Sequence, residues 1–294
     1  MRRAIWIVSA LLLAANFAIV VLLTEFAMHP PRFRHDEDVA LPAHNIAQST
    51  DSTATLVSIR APDGTALKAW WFWPHPGATR AVIVCHGIAD SAMGSIGFAP
   101  LFLKNGYAVL VPESRGHGAS QGFVSFGVQE SGDITQWLAW VKQQGPTTFY
   151  GLGESLGGAI LLQSLAHGAD FRAVIAESSY ASFEEIADDR IGKTLGPVFA
   201  PLIVREAMLY ARLRYHVDLS QASPAAAVAH SHVPILLIHG LADNETPPKH
   251  SQEMAKANPA IQLWLVPNAI HTGAYFADPK GFESRILSTF QPAP

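Results

Sequence analysis

The sequence predicts an α/β fold, a mostly parallel sheet with helices on both faces, and three observations carry that prediction. Short, near-continuous apolar runs recur along the chain, as expected of strands buried on both faces. Stretches of helical composition alternate with them. The turns richest in Gly, His, Ser and Asp fall just after the apolar runs, where open α/β sheets place their ligands.

Length and composition set the bounds. The chain has 294 residues, enough for one large domain or two small ones. A hydrophobic share of 49% with 15% charged residues supports a core and argues against disorder. The net charge of -4 leaves no basic footprint for nucleic acid. Cys85 is the only cysteine, which excludes an intrachain disulfide and Cys-clustered metal sites. It lies in Ala81-Val82-Ile83-Val84-Cys85 and reads as a buried structural thiol. No repeat with a period of 20–50 residues is visible.

The N-terminal segment, residues 1–28, opens with Arg2 and Arg3 and continues as an uncharged stretch from Ala4 to Leu23. At 1.5 Å per residue that stretch makes about 30 Å of helix, enough to cross a bilayer. A cleaved signal peptide is the rival reading, with secretion as its outcome. Its apolar region runs only about 7–15 residues and ends at a small-x-small site, whereas Glu25-Phe26-Ala27 is a poor one. An uncleaved transmembrane anchor is therefore expected, with membrane contact through residues 4–23. Arg2 and Arg3 would keep the N-terminus cytoplasmic and put the body outside. Arg32 and Arg34 on the other side oppose that orientation, although Asp36, Glu37 and Asp38 follow them.

Residues 29–53 are rich in Pro, His and small polar residues without clear periodicity, and are expected to be a linker. The body is expected over 54–294. Leu56–Arg60 and Leu67–Trp73 flank Asp63-Gly64, a hairpin signal; the tryptophans there read as strand packing rather than a ligand platform. Strands are then expected at 81–85, 107–111, 147–150, 173–176, 235–239 and 262–266. Helices are expected at 98–104, 130–143, 159–167, 249–257 and 281–290. Between about 180 and 232 helical periodicity continues without a strand, so a small helical cap inserted over the sheet edge is expected.

The chemistry concentrates at strand ends. Gly151-Leu152-Gly153-Glu154-Ser155-Leu156-Gly157-Gly158 has the strand–turn–helix setting of a G-x-S-x-G nucleophile elbow. Four other stretches stand at strand ends: Cys85-His86-Gly87-Ile88, Glu113-Ser114-Arg115-Gly116-His117-Gly118-Ala119-Ser120, His239-Gly240-Leu241-Ala242-Asp243 and Pro267-Asn268-Ala269-Ile270-His271. A serine hydroxyl needs a base to remove its proton. His29, His35 and His44 precede the fold, and His86, His117 and His239 sit in Gly-flanked turns suited to structural hydrogen bonds. His271, in the loop after the last strand, is the expected base. Asp243 is preferred to Glu177 as its acid partner, because a Gly-rich turn aims its carboxylate at that loop.

Together these motifs resemble serine hydrolases of the α/β-hydrolase superfamily. They are most similar to membrane-anchored bacterial members related to monoglyceride lipases and the serine aminopeptidase group, over about residues 54–290. Glu113, where relatives more often carry Asp, and Glu154 before the serine depart from the pattern without touching the reacting atoms. The resemblance implies an α/β-hydrolase fold and a catalytic triad of Ser155, Asp243 and His271. It also implies an oxyanion hole made by the backbone N–H groups of Ile88 and Leu156. No metal cluster or phosphate-binding glycine loop is present, so no cofactor is expected.

The expected function is hydrolysis of a carboxylic ester, a small acyl substrate, through an acyl-Ser155 intermediate. Thioester, amide or acyl-transfer chemistry with the same residues is the nearest alternative, and a membrane-tethered binding protein without turnover is a different one. The insertion has two readings. It is either a lid whose apolar inner face receives an acyl chain, or a small cap packed on the sheet with Arg205, Arg212 and Arg214 on a solvated face.

Overall fold

The computed structural model describes residues 2–32 and 36–291; Arg34, His35 and the tail 292–294 lie outside them. The chain opens with helix α1 (Arg2–Met28) and helix α2 (Asp36–Ser49). A hairpin follows, β1 (Ser52–Arg60) and β2 (Ala66–Pro74), and then β3 (Arg80–Cys85), the short helices α3 (Ala92–Ser95) and α4 (Ala99–Leu103), and β4 (Tyr107–Pro112). Helix α5 (Glu130–Gln143), β5 (Thr148–Glu154), α6 (Leu156–Ala166) and β6 (Ala173–Glu177) come next. Helices α7 (Phe183–Leu195), α8 (Ala200–Tyr215) and α9 (Pro224–Val228) precede β7 (Ile235–Gly240), α10 (Lys249–Ala257) and β8 (Gln262–Val266). Helices α11 (Ala274–Ala277) and α12 (Pro279–Phe290) complete the described chain.

Among the described residues, eight strands form one sheet in the order β1-β2-β4-β3-β5-β6-β7-β8. β2 runs antiparallel to its neighbours β1 and β4, and every pair from β4 to β8 is parallel. Because side chains alternate across a strand, each parallel strand feeds two cores. Ile83 and Leu110 face one with Trp137 of α5 and Ile160 of α6. Val82, Val84 and Val109 face the other with Phe102 of α4 and Phe290 of α12. Parallel pairing brings the C-terminal ends of β3, β5, β6, β7 and β8 to one edge; Cys85 lies beside Gly153, and Glu154 beside Glu177.

Two expectations need correction. Residues 29–53 are not a plain linker, because α2 occupies 36–49 and packs on β1, with Val39 and Ala43 fully buried in the second core. Its apolar face (Val39, Ala43, Ile46, Ala47) has helical spacing, but Pro42 inside the helix obscures the pattern. The expected cap at 180–232 is also too long. Only α7 and α8 stand over the strand ends, whereas α9 packs against α6 and α10 as part of the body.

Helix α1 is long and apolar enough to cross a membrane. Residues 2–15 are exposed throughout, while Val20, Thr24 and Met28 are buried. That i, i+4 spacing makes one face, which packs along α8. Polar contacts fix the register. The Asn16 amide donates to Glu206 at 2.6 Å, and the Tyr210 and Tyr215 hydroxyls donate to the two Glu25 oxygens at 2.8 and 2.5 Å. The Val124 N–H bonds the Met28 carbonyl at 2.9 Å, so the end of α1 is also tied to the body. On its outer side α8 exposes Leu202, Leu209 and Leu213, which fall within an arc of about 40° at 100° per residue.

Candidate active site

Ser155 caps the N-terminus of α6 with φ 51° and ψ -116°, a left-handed backbone that only a tightly held turn imposes on a non-glycine residue. Its N–H donates to the Glu177 carbonyl at 2.8 Å, and its carbonyl accepts from Ser179 Oγ at 3.0 Å. The glycines on either side are there for space. A Cβ on Gly153 would stand 2.5 Å from the Gly157 carbonyl carbon, and one on Gly157 would stand 2.4 Å from the Cys85 carbonyl oxygen. Strand, turn and helix can therefore close on each other only with both glycines in place.

The structure brings Ser155, His271 and Asp243 together from three strand ends. Ser155 Oγ lies 3.0 Å from His271 Nε2, and His271 Nδ1 lies 2.8 Å from Asp243 Oδ2. The Asp243 side chain is fully buried and that of His271 is 23% exposed. Burial alone would raise the Asp243 carboxyl. Hydrogen bonds from His239, His271 and the Thr246 N–H outweigh it and hold the group well below the usual carboxylate range. Asp243 Oδ1 accepts the N–H groups of Glu245 and Thr246 at 2.9 and 2.8 Å. Glu177, the competing acid, does not meet His271. Its Oε1 accepts the Ala274 N–H at 2.9 Å, and Ser178 Oγ accepts the Thr272 N–H at 3.1 Å, so both fasten the His271 loop.

The turn carrying Ile88 runs beside the serine, since a Cβ on Gly87 would lie 3.5 Å from Ser155 Cβ. Leu156 is the first residue of α6, so its N–H has no partner within the helix. Two buried histidines brace the Ile88 turn. His86 Nε2 accepts the Ser114 N–H at 3.1 Å, and His117 Nε2 accepts the Ala89 N–H at 3.0 Å. Burial pushes His86 down to about 4 and His117 down to about 3, so both stay neutral and keep an acceptor nitrogen toward the backbone. Arg115 is bidentate to Asp133 at 2.5 and 2.8 Å and reaches Asp63 in the β1–β2 turn at 2.5 Å. It joins the hairpin to α5. Burial pushes the Cys85 thiol up, which keeps it unreactive.

Sequence reasoning missed two supporting features. His239 stands four residues before Asp243, its Nε2 3.4 Å from Asp243 Oδ2 and 2.7 Å from the Thr246 carbonyl. The i, i+4 pairing was visible in the sequence, but a flanking glycine made it resemble a simple turn residue. The other feature is α1, which nothing in an apolar run marks as part of a site. Ser155 and Leu156 open into a cavity of about 360 Å³, walled by Phe126, Tyr180 and Phe183, by Ile186, Ala187 and Ile191 of α7, by Val204 of α8, and by Leu23 and Ala27 of α1. Among the described residues lining it, Arg190 is the only charged one.

An eight-stranded, mostly parallel sheet with a serine turn after β5 and a capping insertion after β6 is the α/β-hydrolase fold. The family model described as serine aminopeptidase, S33, matches residues 76–209. The uncharacterised protein YqkD of Bacillus subtilis is 28% identical over 243 residues, covering 79% of this chain and 78% of that one. YfhR of Escherichia coli K12, also uncharacterised, is 28% identical over 258 residues, covering 82% and 83%. The esterase Pf2001 of Pyrococcus furiosus superposes with a TM-score of 0.70 at 20% identity, over 90% of this chain and 97% of that one. Est1E of Butyrivibrio proteoclasticus, solved with ferulic acid bound, gives 0.62 at 21% identity, over 79% and 98%. At those identities the two structures share the fold with this chain.

Proposed function

We propose that the chain is a serine esterase, anchored to a membrane by α1, that hydrolyses carboxylic esters through an acyl-Ser155 intermediate. The observation that carries this reading is the continuous hydrogen-bond path from Ser155 Oγ through His271 to buried Asp243, at the floor of an apolar cavity. In this reading His271 Nε2 takes the Ser155 proton as Oγ attacks the ester carbonyl. The N–H groups of Ile88 and Leu156 hold the oxyanion, and Asp243 steadies the imidazolium. His271 then protonates the leaving alcohol. Water, deprotonated by the same nitrogen, releases the acid and restores Ser155.

An aminopeptidase would need an anionic group for the substrate's free amine. Among the described residues the cavity lining offers none, only Arg190, which favours an uncharged acyl chain over a peptide N-terminus. The docking of α1 favours an uncleaved anchor over a removed signal, since cleavage would take away a cavity wall. The orientation proposed is the one with Arg2 and Arg3 cytoplasmic and the body outside.

A fluorophosphonate probe should label the wild type and leave Ser155→Ala unlabelled, while the variant loses at least about 10³-fold in kcat on p-nitrophenyl esters. Persisting label in Ser155→Ala would refute the nucleophile, and an unlabelled, inactive wild type would refute the enzyme.

A further inference from the structure

The last two turns of α1 do more than lead the chain out of a membrane. At 100° per residue, Val20, Leu23, Thr24, Ala27 and Met28 share an arc of about 140°, and all of it faces protein. Val20, Thr24 and Met28 are buried, whereas Leu23 and Ala27 line the cavity that also contains Ser155. Ile186 and Ile191 of α7 and Val204 of α8 line the same cavity. The Glu25–Tyr210, Glu25–Tyr215 and Asn16–Glu206 bonds hold α1 in one register on α8, and the Val124–Met28 bond holds it on the body. A wall fixed at four points shapes what binds behind it.

We propose that the end of α1 is the specificity-determining wall of the acyl pocket, and that the substrate is an ester of a single medium-length acyl chain lying between α1 and the cap helices. The proposal rests on the esterase reading above. A volume of about 360 Å³, at about 30 Å³ for each water-sized group, holds roughly a dozen such groups. That suits one chain of around ten carbons with its carbonyl at Ser155. An apolar pocket discriminates chain length by about 1–3 kcal/mol per methylene, or about 10–200-fold, so a change in its wall reads out directly in chain preference.

The test uses the full chain in detergent micelles, with p-nitrophenyl butyrate, decanoate and myristate as probes. Ala27→Trp fills the pocket beside α1 and is expected to lower the decanoate-to-butyrate ratio of kcat/KM at least about tenfold. Leu23→Ala deepens the pocket and is expected to raise the myristate-to-decanoate ratio several-fold. Leu12→Trp, on the bare part of α1, should change neither ratio. Opposite shifts from the two wall variants cannot arise from partial unfolding, and fluorophosphonate labelling of each variant reports an intact Ser155. Labelled variants whose ratios stay at the wild-type values would overturn the wall. A wild type that takes no label would instead overturn the esterase reading, and this inference with it.

Discussion

At the scale of single residues, the site is a set of carboxyl groups held in different states by their surroundings. Asp243 is held ionised by three donors, so Asp243→Asn should leave the fold intact and lower kcat by about 10⁴-fold, because His271 loses the partner that sets its tautomer. Glu177 is the opposite case. Burial pushes it up to about 7, against the pull of the Ala274 N–H that it accepts. Between pH 4.5 and 7 the folded chain therefore keeps a proton that the unfolded chain releases, and stability falls as pH rises through that window. Glu177→Gln keeps the acceptor oxygen and removes the ionisation, so its melting temperature should match the wild type at pH 4.5 and exceed it at pH 8, by about 2–4 °C per kcal/mol of linkage. Equal melting temperatures at both pH values would refute the assignment. Glu154, beside Glu177 in the sheet, is also pushed well up by burial and by the Glu177 and Asp90 carboxylates. Nothing in the structure gives it a further role. The meeting of Ser155, His271 and Asp243 was expected from the sequence because each follows a strand run in a fixed order, whereas the service of Glu177 to the His271 loop depends on a contact 97 residues away.

At the scale of elements, the tight turn at Ser155 is the least forgiving. Gly157→Ala would drive a Cβ into the Cys85 and His86 carbonyls, which are backbone and cannot swing aside. A loss of about 3 kcal/mol or more is expected in urea unfolding. The parallel strands and the helices α5 and α10 were legible because local composition and tertiary burial point the same way; the expected 130–143 and 249–257 match the observed helices. Helix α2 was not, because Pro42 and the surrounding His and polar residues weaken the local signal while the decisive contribution comes from the sheet beneath. Val39→Ala separates the two cases. A tether would be indifferent to it, and a packed helix should lose about 1–3 kcal/mol.

At the scale of the whole molecule, α1 packs on the cap, whereas the sequence reads it only as an apolar segment apart from the body, because a lipid-facing surface and a protein-facing surface are both simply apolar. The free part of α1, residues 2–15, is about 21 Å long at 1.5 Å per residue, against a hydrocarbon layer about 30 Å thick. Since α8 runs parallel to α1, with Asn16 at Glu206 and Glu25 at Tyr210 and Tyr215, the missing depth of an anchored α1 would lie alongside the start of α8. In the anchored reading proposed above, the chain would therefore float low. In that reading Val198, Phe199 and Leu202, all exposed, would sit among the acyl chains, with Arg205, paired to Glu184 at 3.7 Å, on the headgroup side. The buried Cys85 leaves an added thiol free for selective labelling. A spin label on Phe199→Cys should be relaxed by lipid-dissolved oxygen, and one on Leu213→Cys by an aqueous nickel chelate. Equal nickel access at both would mean that the cap rides clear of the bilayer. With those residues submerged as that reading has them, an ester diffusing in the near leaflet would reach the mouth of the pocket without passing through water.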